Sequence, residues 1–227
     1  SDVIGLFAPV ALPAVLDDNR KDRLAYLTKH AIKHLENDKG YFLLVEASQV
    51  DWAGHANDVG SAMAEMHDLA QTMEYLREYV DTHPDTLVVL TADHSTGGLA
   101  IGAGGDYRWS PEYLHNMSAS ARTIAATMVD EDMPGEYAAK QLGLSLTSEE
   151  LAMLDSVSNQ DEETRYAAVK TFLDIKTNTG WTTTGHTGVD VEVFAFGAGA
   201  TSFSGQIDNT DIAKTIFTLL DSSALNK

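Results

Sequence analysis

The chain is 227 residues long and 44% hydrophobic, enough for one globular domain with a sizeable core or at most two small ones. Its 15 basic and 34 acidic side chains leave a formal charge of −19, which argues against a nucleic-acid-binding surface because phosphates would be repelled rather than neutralised. It has no cysteine, so disulfides, thiolate zinc sites and a cysteine nucleophile are excluded within it.

The acid is dispersed, as on a solvated surface, and hints at a salty or cold habitat. No run of 18 apolar residues exists, and the start, SDVIGLFAPVALPAVLDDN, lacks the basic end and long apolar stretch of a secretory signal. No membrane span is therefore expected. Val3 to Ala8 reads as a buried strand without a preceding partner, the mark of a missing upstream portion, and Pro9 and Pro13 follow it in a loop. A helix is expected from near Asp18, with Leu24, Leu27, Ala31 and Leu35 at helical spacing and Gly40 closing it. His30 and His34 are four apart on that helix, but no carboxylate motif accompanies them and they read as structural.

Tyr41 to Ala47 is a second predicted strand, and the stretch YFLLVEASQVDWAGH carries it straight into Glu46, Asp51 and His55. Asp51 and His55 fall on one side of a starting helix, where an i,i+4 pair can grip one cation. A satisfied turn carboxylate and a surface histidine are the plainer reading of that stretch alone. From Asn57 to Thr82 an apolar stripe of Val59, Ala62, Met63, Met66, Leu69, Ala70, Met73 and Leu76 predicts a long helix, with the methionines as core filling and His67 structural. The run LVVLTAD then predicts a third strand, buried on both faces of a parallel sheet and ending in Asp93 and His94. Adjacent residues point apart on a strand, so those two share a metal only if the chain turns, as Gly97 and Gly98 permit. Otherwise each faces a different metal.

From Ile101 to Thr179 the alternation stops. Gly102, Gly104 and Gly105 precede predicted helices over 118–129, 148–157 and 162–175, the second opened by a capping box of Thr147 and Glu150. His115 at the start of this stretch reads as surface. WTTTGH leads to His186, VEVFAFG gives a fourth strand over 191–197, and a closing helix over 210–220 should turn Ile212, Ile216, Phe217 and Leu220 inward. The expected fold is α/β: a mostly parallel sheet between helices, incomplete, with residues 1–100 and 181–227 forming one metal-binding core and 101–180 a helical insert on its rim.

Glu46, Asp51, His55, Asp93, His94 and His186 thus lie near strand ends or approaches, where open α/β folds keep their ligand sites. Six oxygen and imidazole donors exceed the needs of one tetrahedral zinc, so two or more metals are the economical interpretation, and a close pair of zinc ions suits phosphoryl transfer on a phosphate ester. A structural binuclear site, or an acidic scaffold with no metal, is the alternative.

The segments VEASQVDWAGHAND, LTADHSTGG, TTTGHTG and GQIDNTDIAK resemble, in that order, bacterial alkaline phosphatases, over nearly the whole chain outside the insert. The first three together are highly specific, although ADH alone is weak. The resemblance implies that Asp51, His55 and His186 bind one zinc, which activates the water that hydrolyses the phosphoenzyme. It implies that Asp93 and His94 hold a second zinc, which activates a serine nucleophile, and that Glu46 serves a magnesium. Trp52 occupies a position that varies in the family, and either tunes the magnesium site or phosphate approach or packs beneath the site. The implied substrate is a phosphate monoester, the implied assembly a homodimer, and the implied location periplasmic or secreted.

The sequence departs from that pattern at the nucleophile. The family attacks with serine in an Asp-Ser-Ala context, supported by an arginine and by an aspartate that bridges the second zinc and the magnesium. Asp155-Ser156 and Asp221-Ser222 are followed by Val and Ser in helical or tail segments, and neither fits. The missing groups normally precede the strand that resembles VIGLFA. The chain therefore resembles the C-terminal portion of the enzyme, with an exposed sheet edge, an incompletely held second zinc and negligible turnover without an N-terminal fragment. Phosphodiesterases and sulfatases of the same broad fold, and a non-catalytic metal-binding domain, are the competing readings.

Overall fold

A computed structural model describes residues 2–225, apart from the side chains of 222–225. In chain order the elements are α1 (Arg23–Leu35), α2 (Ser48–His55), α3 (Val59–Thr82), β1 (Leu87–Thr91), β2 (Ser95–Thr96), β3 (Ala100–Ile101), α4 (Ala121–Thr127), α5 (Pro134–Leu142), α6 (Ser148–Val157), α7 (Glu162–Thr177), β4 (Thr179–Gly180), β5 (His186–Thr187), β6 (Val193–Gly197) and α8 (Asn209–Leu225). Helices α3, α4, α6 and α7 start where polar side chains satisfy their first free amides. Asp58 accepts from the Ser61 amide, Ser120 from Thr123 and Asp161 from Thr164, while Thr147 and Glu150 form the expected reciprocal capping box.

α1 begins five residues later than the spacing predicts. Asp18 is turned back onto Arg20 and Arg23, and Asp22 sits at φ 51°, so the helical hydrogen bonds start only at Arg23. Arg23 is buried, and its guanidinium reaches Glu65 at 2.9 Å and Asp68 at 3.5 Å on α3. Glu65 also accepts the Val15 amide at 2.8 Å. A buried charge is tolerated only when paired, and this cluster clamps the 13–18 loop and α1 against a polar strip of α3.

The α/β class and the helical insert agree with the patterning, but the strand pairing does not. All three ladders among the described residues are antiparallel pairs: β1 with β6, β2 with β5 and β3 with β4. A continuous apolar run does not distinguish parallel from antiparallel neighbours, because both satisfy the same backbone groups. β1 is only half-buried, and Phe194 of β6 is exposed. Residues 3–8 and 41–47, both expected as strands, form no ladder among the described residues, and Ile4, Leu6, Phe42 and Leu44 are exposed. In α8, Ile212 and Ile216 are half-buried as expected, whereas Phe217 and Leu220 face solvent.

The closest-packed part of the molecule is helical. Val59 at the start of α3 joins Leu114, Ile124, Met128, Leu142, Leu154, Val169 and Leu173 in one buried cluster. α7 is its spine: Leu173 and Val169 are fully enclosed, and buried Arg165 donates to the Ala125 and Gln160 carbonyls. α5, unforeseen in the sequence, closes the cluster with Ala138 and Leu142. Asp155 and Ser156 are spent on structure, the former accepting the Gly135 amide and the latter donating to the Met153 carbonyl. The pair Asp221-Ser222 lies in α8, with the Ser222 side chain outside the described residues.

Truncating Leu173 to alanine should cost about 2–5 kcal/mol, the range for a cavity in a packed core. Removing the α6 cap with Thr147→Ala should cost about 0.5–2 kcal/mol. Urea unfolding followed by circular dichroism measures both, and a Leu173→Ala loss no larger than that of Thr147→Ala would show that stability does not reside in this cluster.

Candidate metal centre

Three segments distant in sequence meet at one place. α2 carries Asp51 and His55 on one face, the antiparallel β2–β5 pair carries Thr96 opposite His186, and Asp93 and His94 sit in a bend between β1 and β2. Glycines allow the approach. A Cβ on Gly54 would stand 3.1 Å from the Thr96 side chain, and one on Gly97, which has φ +80°, would stand 2.7 Å from both the Gly54 carbonyl oxygen and the Trp181 ring. The Gly97 amide donates to the Gly185 carbonyl at 2.9 Å, and its carbonyl accepts from Thr182 and Thr183. The turn after β2 is thereby fastened to the segment that delivers His186.

Asp51, His55 and His186 offer ligand atoms that all lie within 4.8 Å of one another. His55 Nε2 is 3.4 Å from Asp51 Oδ2 and 3.2 Å from His186 Nε2. Two ligands of a tetrahedral zinc at about 2.0–2.1 Å are separated by roughly 3.3–3.4 Å, so these spacings suit one cation. The opposite ring nitrogen of His55, Nδ1, is 2.6 Å from the Thr184 carbonyl. A carbonyl only accepts, so in the neutral ring Nδ1 carries the proton and Nε2 is left as a lone pair, the arrangement common in metal-bound histidines.

His186 also stacks on His94, with ring centroids 3.5 Å apart, so the second predicted pair adjoins the first. The bend at Asp93 and His94 supplies the turn that adjacent ligands need: Asp93 Oδ2 lies 3.4 Å from His94 Nε2. His94 Nδ1 is 3.2 Å from Thr96 Oγ1, which donates to Asp51 Oδ1. Glu46 is exposed on the irregular segment before α2 and has no hydrogen bond or ion pair among the described residues. Trp52 leaves 51% of its surface accessible.

A wall of the insert backs the site. Trp181 Nε1 donates to Asp174 at 3.1 Å, and Lys170 reaches the Ala56 carbonyl just beyond His55. Burial pushes the Asp174 carboxyl up to about 6 and the Lys170 ammonium down. The Tyr166 hydroxyl, raised by its burial, reaches Asp58 Oδ2 at 3.2 Å. Thr96, Trp181 and Lys170 were not singled out from the sequence. Thr96 and Trp181 lie inside quoted motifs, but Lys170 sits in a helix with no readable signal.

A family model described as alkaline phosphatase matches residues 1–222. Alkaline phosphatase 3 of Bacillus subtilis is 40% identical over 97% of this chain and 49% of its own length, and alkaline phosphatase 4 of the same organism 38% identical over 96% and 48%. The chain thus spans about half the length of these curated relatives. Among solved structures, a cold-active alkaline phosphatase from the psychrophile Shewanella sp. superposes with a TM-score of 0.90 at 45% identity, covering 96% of this chain and 55% of that one. The alkaline phosphatase of the Antarctic bacterium TAB5, 21% identical with a TM-score of 0.58 over 93% of this chain and 44% of that one, supports the fold alone.

The raised Asp174 carboxyl has a definite sign. Between the ordinary value of 3.8 and about 6 the unfolded chain has released a proton that the folded one still holds, so stability falls as pH rises through that window and stays lower above it. Asp174→Asn keeps an oxygen for Trp181 and removes the charge. It should therefore stabilise the protein at about pH 8, on the order of 1 kcal/mol after solvent screening of a part-buried group, and give no gain near pH ~4. Urea midpoints at the two pH values measure this, and an equal gain at both would show that the charge is not responsible.

Proposed function

The chain belongs to the alkaline phosphatase family, and on that premise we propose that it is the metal-binding C-terminal portion of an enzyme that hydrolyses phosphate monoesters. The observation that carries this reading is the convergence of Asp51, His55 and His186, with donor spacings of 3.2 and 3.4 Å. Those three residues would hold one zinc, Asp93 and His94 a second, and Glu46 a magnesium. Such ions, when bound, stabilise negative charge on a phosphoryl group and on the oxygens entering and leaving it.

The chain's own residues set the conditions for that chemistry. The Thr184 carbonyl fixes the His55 ring with its lone pair inward. The Trp181 and Asp174 pair and Lys170 brace the rim. Residues 1–100 and 181–227 act as one metal-binding core, with 101–180 covering one side. Reaction proceeds through a phosphoserine on a serine outside these 227 residues, so this chain by itself has negligible turnover. The exposed apolar side chains of residues 3–8 and 41–47 suit a sheet completed by an N-terminal portion of the same enzyme. The family resemblance supports a homodimer and a periplasmic or secreted location, and no helix among the described residues is long and apolar enough to cross a membrane.

The test is zinc uptake by the chain and by His186→Ala, measured by competition titration. Loss of a direct ligand should weaken binding by more than the 10–100-fold typical of an outer partner, and equal uptake by both proteins would overturn the assignment. Assayed on an aryl phosphate with zinc and magnesium, the chain alone should be silent. Turnover near that of a full-length relative would overturn the need for an outside nucleophile.

A further inference from the structure

We propose that Thr96 is a positioning residue whose single hydroxyl ties the two halves of the metal centre together. The inference rests on the metal-centre reading above and adds a residue and a coupling to it. Thr96 Oγ1 contacts one group from each half: it donates to Asp51 Oδ1 on α2, and it lies 3.2 Å from His94 Nδ1. A hydroxyl has one proton and two acceptor lone pairs, and an ionised carboxylate only accepts. The proton therefore goes to Asp51. The Thr96 oxygen is left to accept, and the Nδ1 of His94 must carry the hydrogen.

In the neutral ring that assignment leaves His94 Nε2 as a lone pair on the side of Asp93, whose Oδ2 is 3.4 Å away. His55 shows the same division through a different partner, the Thr184 carbonyl. Thr96 thus does for His94 what a backbone carbonyl does for His55, and in the same act it holds Asp51. The threonine side chain is itself held in place. Its Cβ and Cγ2 lie 3.1 Å from the position a Gly54 Cβ would take, and Thr96 is paired with His186 in the β2–β5 ladder. Because one hydroxyl serves a ligand of each half-site, a change at either is transmitted to the other, so the two ions should bind cooperatively.

Two substitutions separate the hydroxyl from the packing. Thr96→Val keeps the branched shape and removes the hydroxyl, and Thr96→Ser keeps the hydroxyl and removes the methyl packed on Gly54. Zinc titration of the chain should show affinity at both sites falling 10–100-fold in Thr96→Val, with cooperativity lost and with Thr96→Ser close to the unsubstituted protein. Independently of metal, the imidazole ¹⁵N shifts of His94 in the zinc-free chain at alkaline pH should report Nδ1–H in the unsubstituted and Thr96→Ser proteins and a mixture in Thr96→Val. Two-zinc binding and a His94 tautomer unchanged in Thr96→Val would overturn the proposal alone. So would a Thr96→Ser loss as large as that of Thr96→Val, which would assign the effect to packing. No zinc uptake by the unsubstituted chain would instead overturn the metal-centre reading and, with it, the coupling.

Discussion

The site depends on how closely α2 can approach the turn after β2. Gly54 on the helix and Gly97 on the turn both face this contact, and a side chain at either would meet Thr96, the Gly54 carbonyl or Trp181 at or inside van der Waals distance. Because nothing projects there, a helix carrying Asp51 and His55 lies directly against a strand pair carrying Thr96 and His186. The amide and carbonyl of Gly97 are both committed to the 182–185 segment. A contact made of backbone tolerates little displacement, and metal ligands must be held to within about half an ångström of their working geometry. The seam provides that tolerance without any large side chain.

The helical insert supplies the rigidity behind the seam. The buried cluster draws mostly on residues between Leu114 and Leu173 and reaches the site side through Val59, one residue after the Asp58 cap. α7 then ends at Asn178, at φ 61°, and hands the chain through Trp181 to the threonines that precede His186. The position of His186 is therefore inherited from a packed core, although the residue itself lies on an exposed two-residue strand. The clamp of Arg23 on Glu65 and Asp68 does similar work at the other end, holding α1 to α3 and leaving the apolar side of α3 to face β1 and β6.

Much of this was legible in the sequence, and the illegible parts share a physical cause. Local signals were reliable: the Thr147 and Glu150 capping box starts α6 where it should, and the long stripe from Val59 yields a helix ending at Thr82. Strand character was misjudged because it is not local. YFLLV has the composition of a strand, yet a strand exists only when a neighbour completes its hydrogen bonds, and none of the described residues does so for 41–47. The cluster of Asp51, His55 and His186 was reachable because ligand types are rare and their motifs distinctive. Arg23 was not, since a charged residue near a helix start gives no sign that it will be buried between two carboxylates. α5 was missed despite Pro134 at its first turn and Gly143 at its end, both recognised boundary residues, because Gly135 just inside it weakens the helical pattern.

The charge balance gives the candidate site a further constraint. At −19 the protein repels a phosphate dianion at long range, although screening confines that repulsion to about 8 Å at physiological ionic strength. Among the described residues, the hydrogen bonds and ion pairs around Asp51, His55, Asp93, His94 and His186 involve carboxylates, imidazoles, threonine hydroxyls and a carbonyl, with no lysine or arginine. Such a surface attracts cations and offers an anion little. If the proposed ester is the substrate, the positive charge that draws it in must come from ions gathered by these donors or from a portion of the enzyme beyond this chain. The same acidity that would hinder the substrate thus favours the metals, and metal loading should precede phosphate binding.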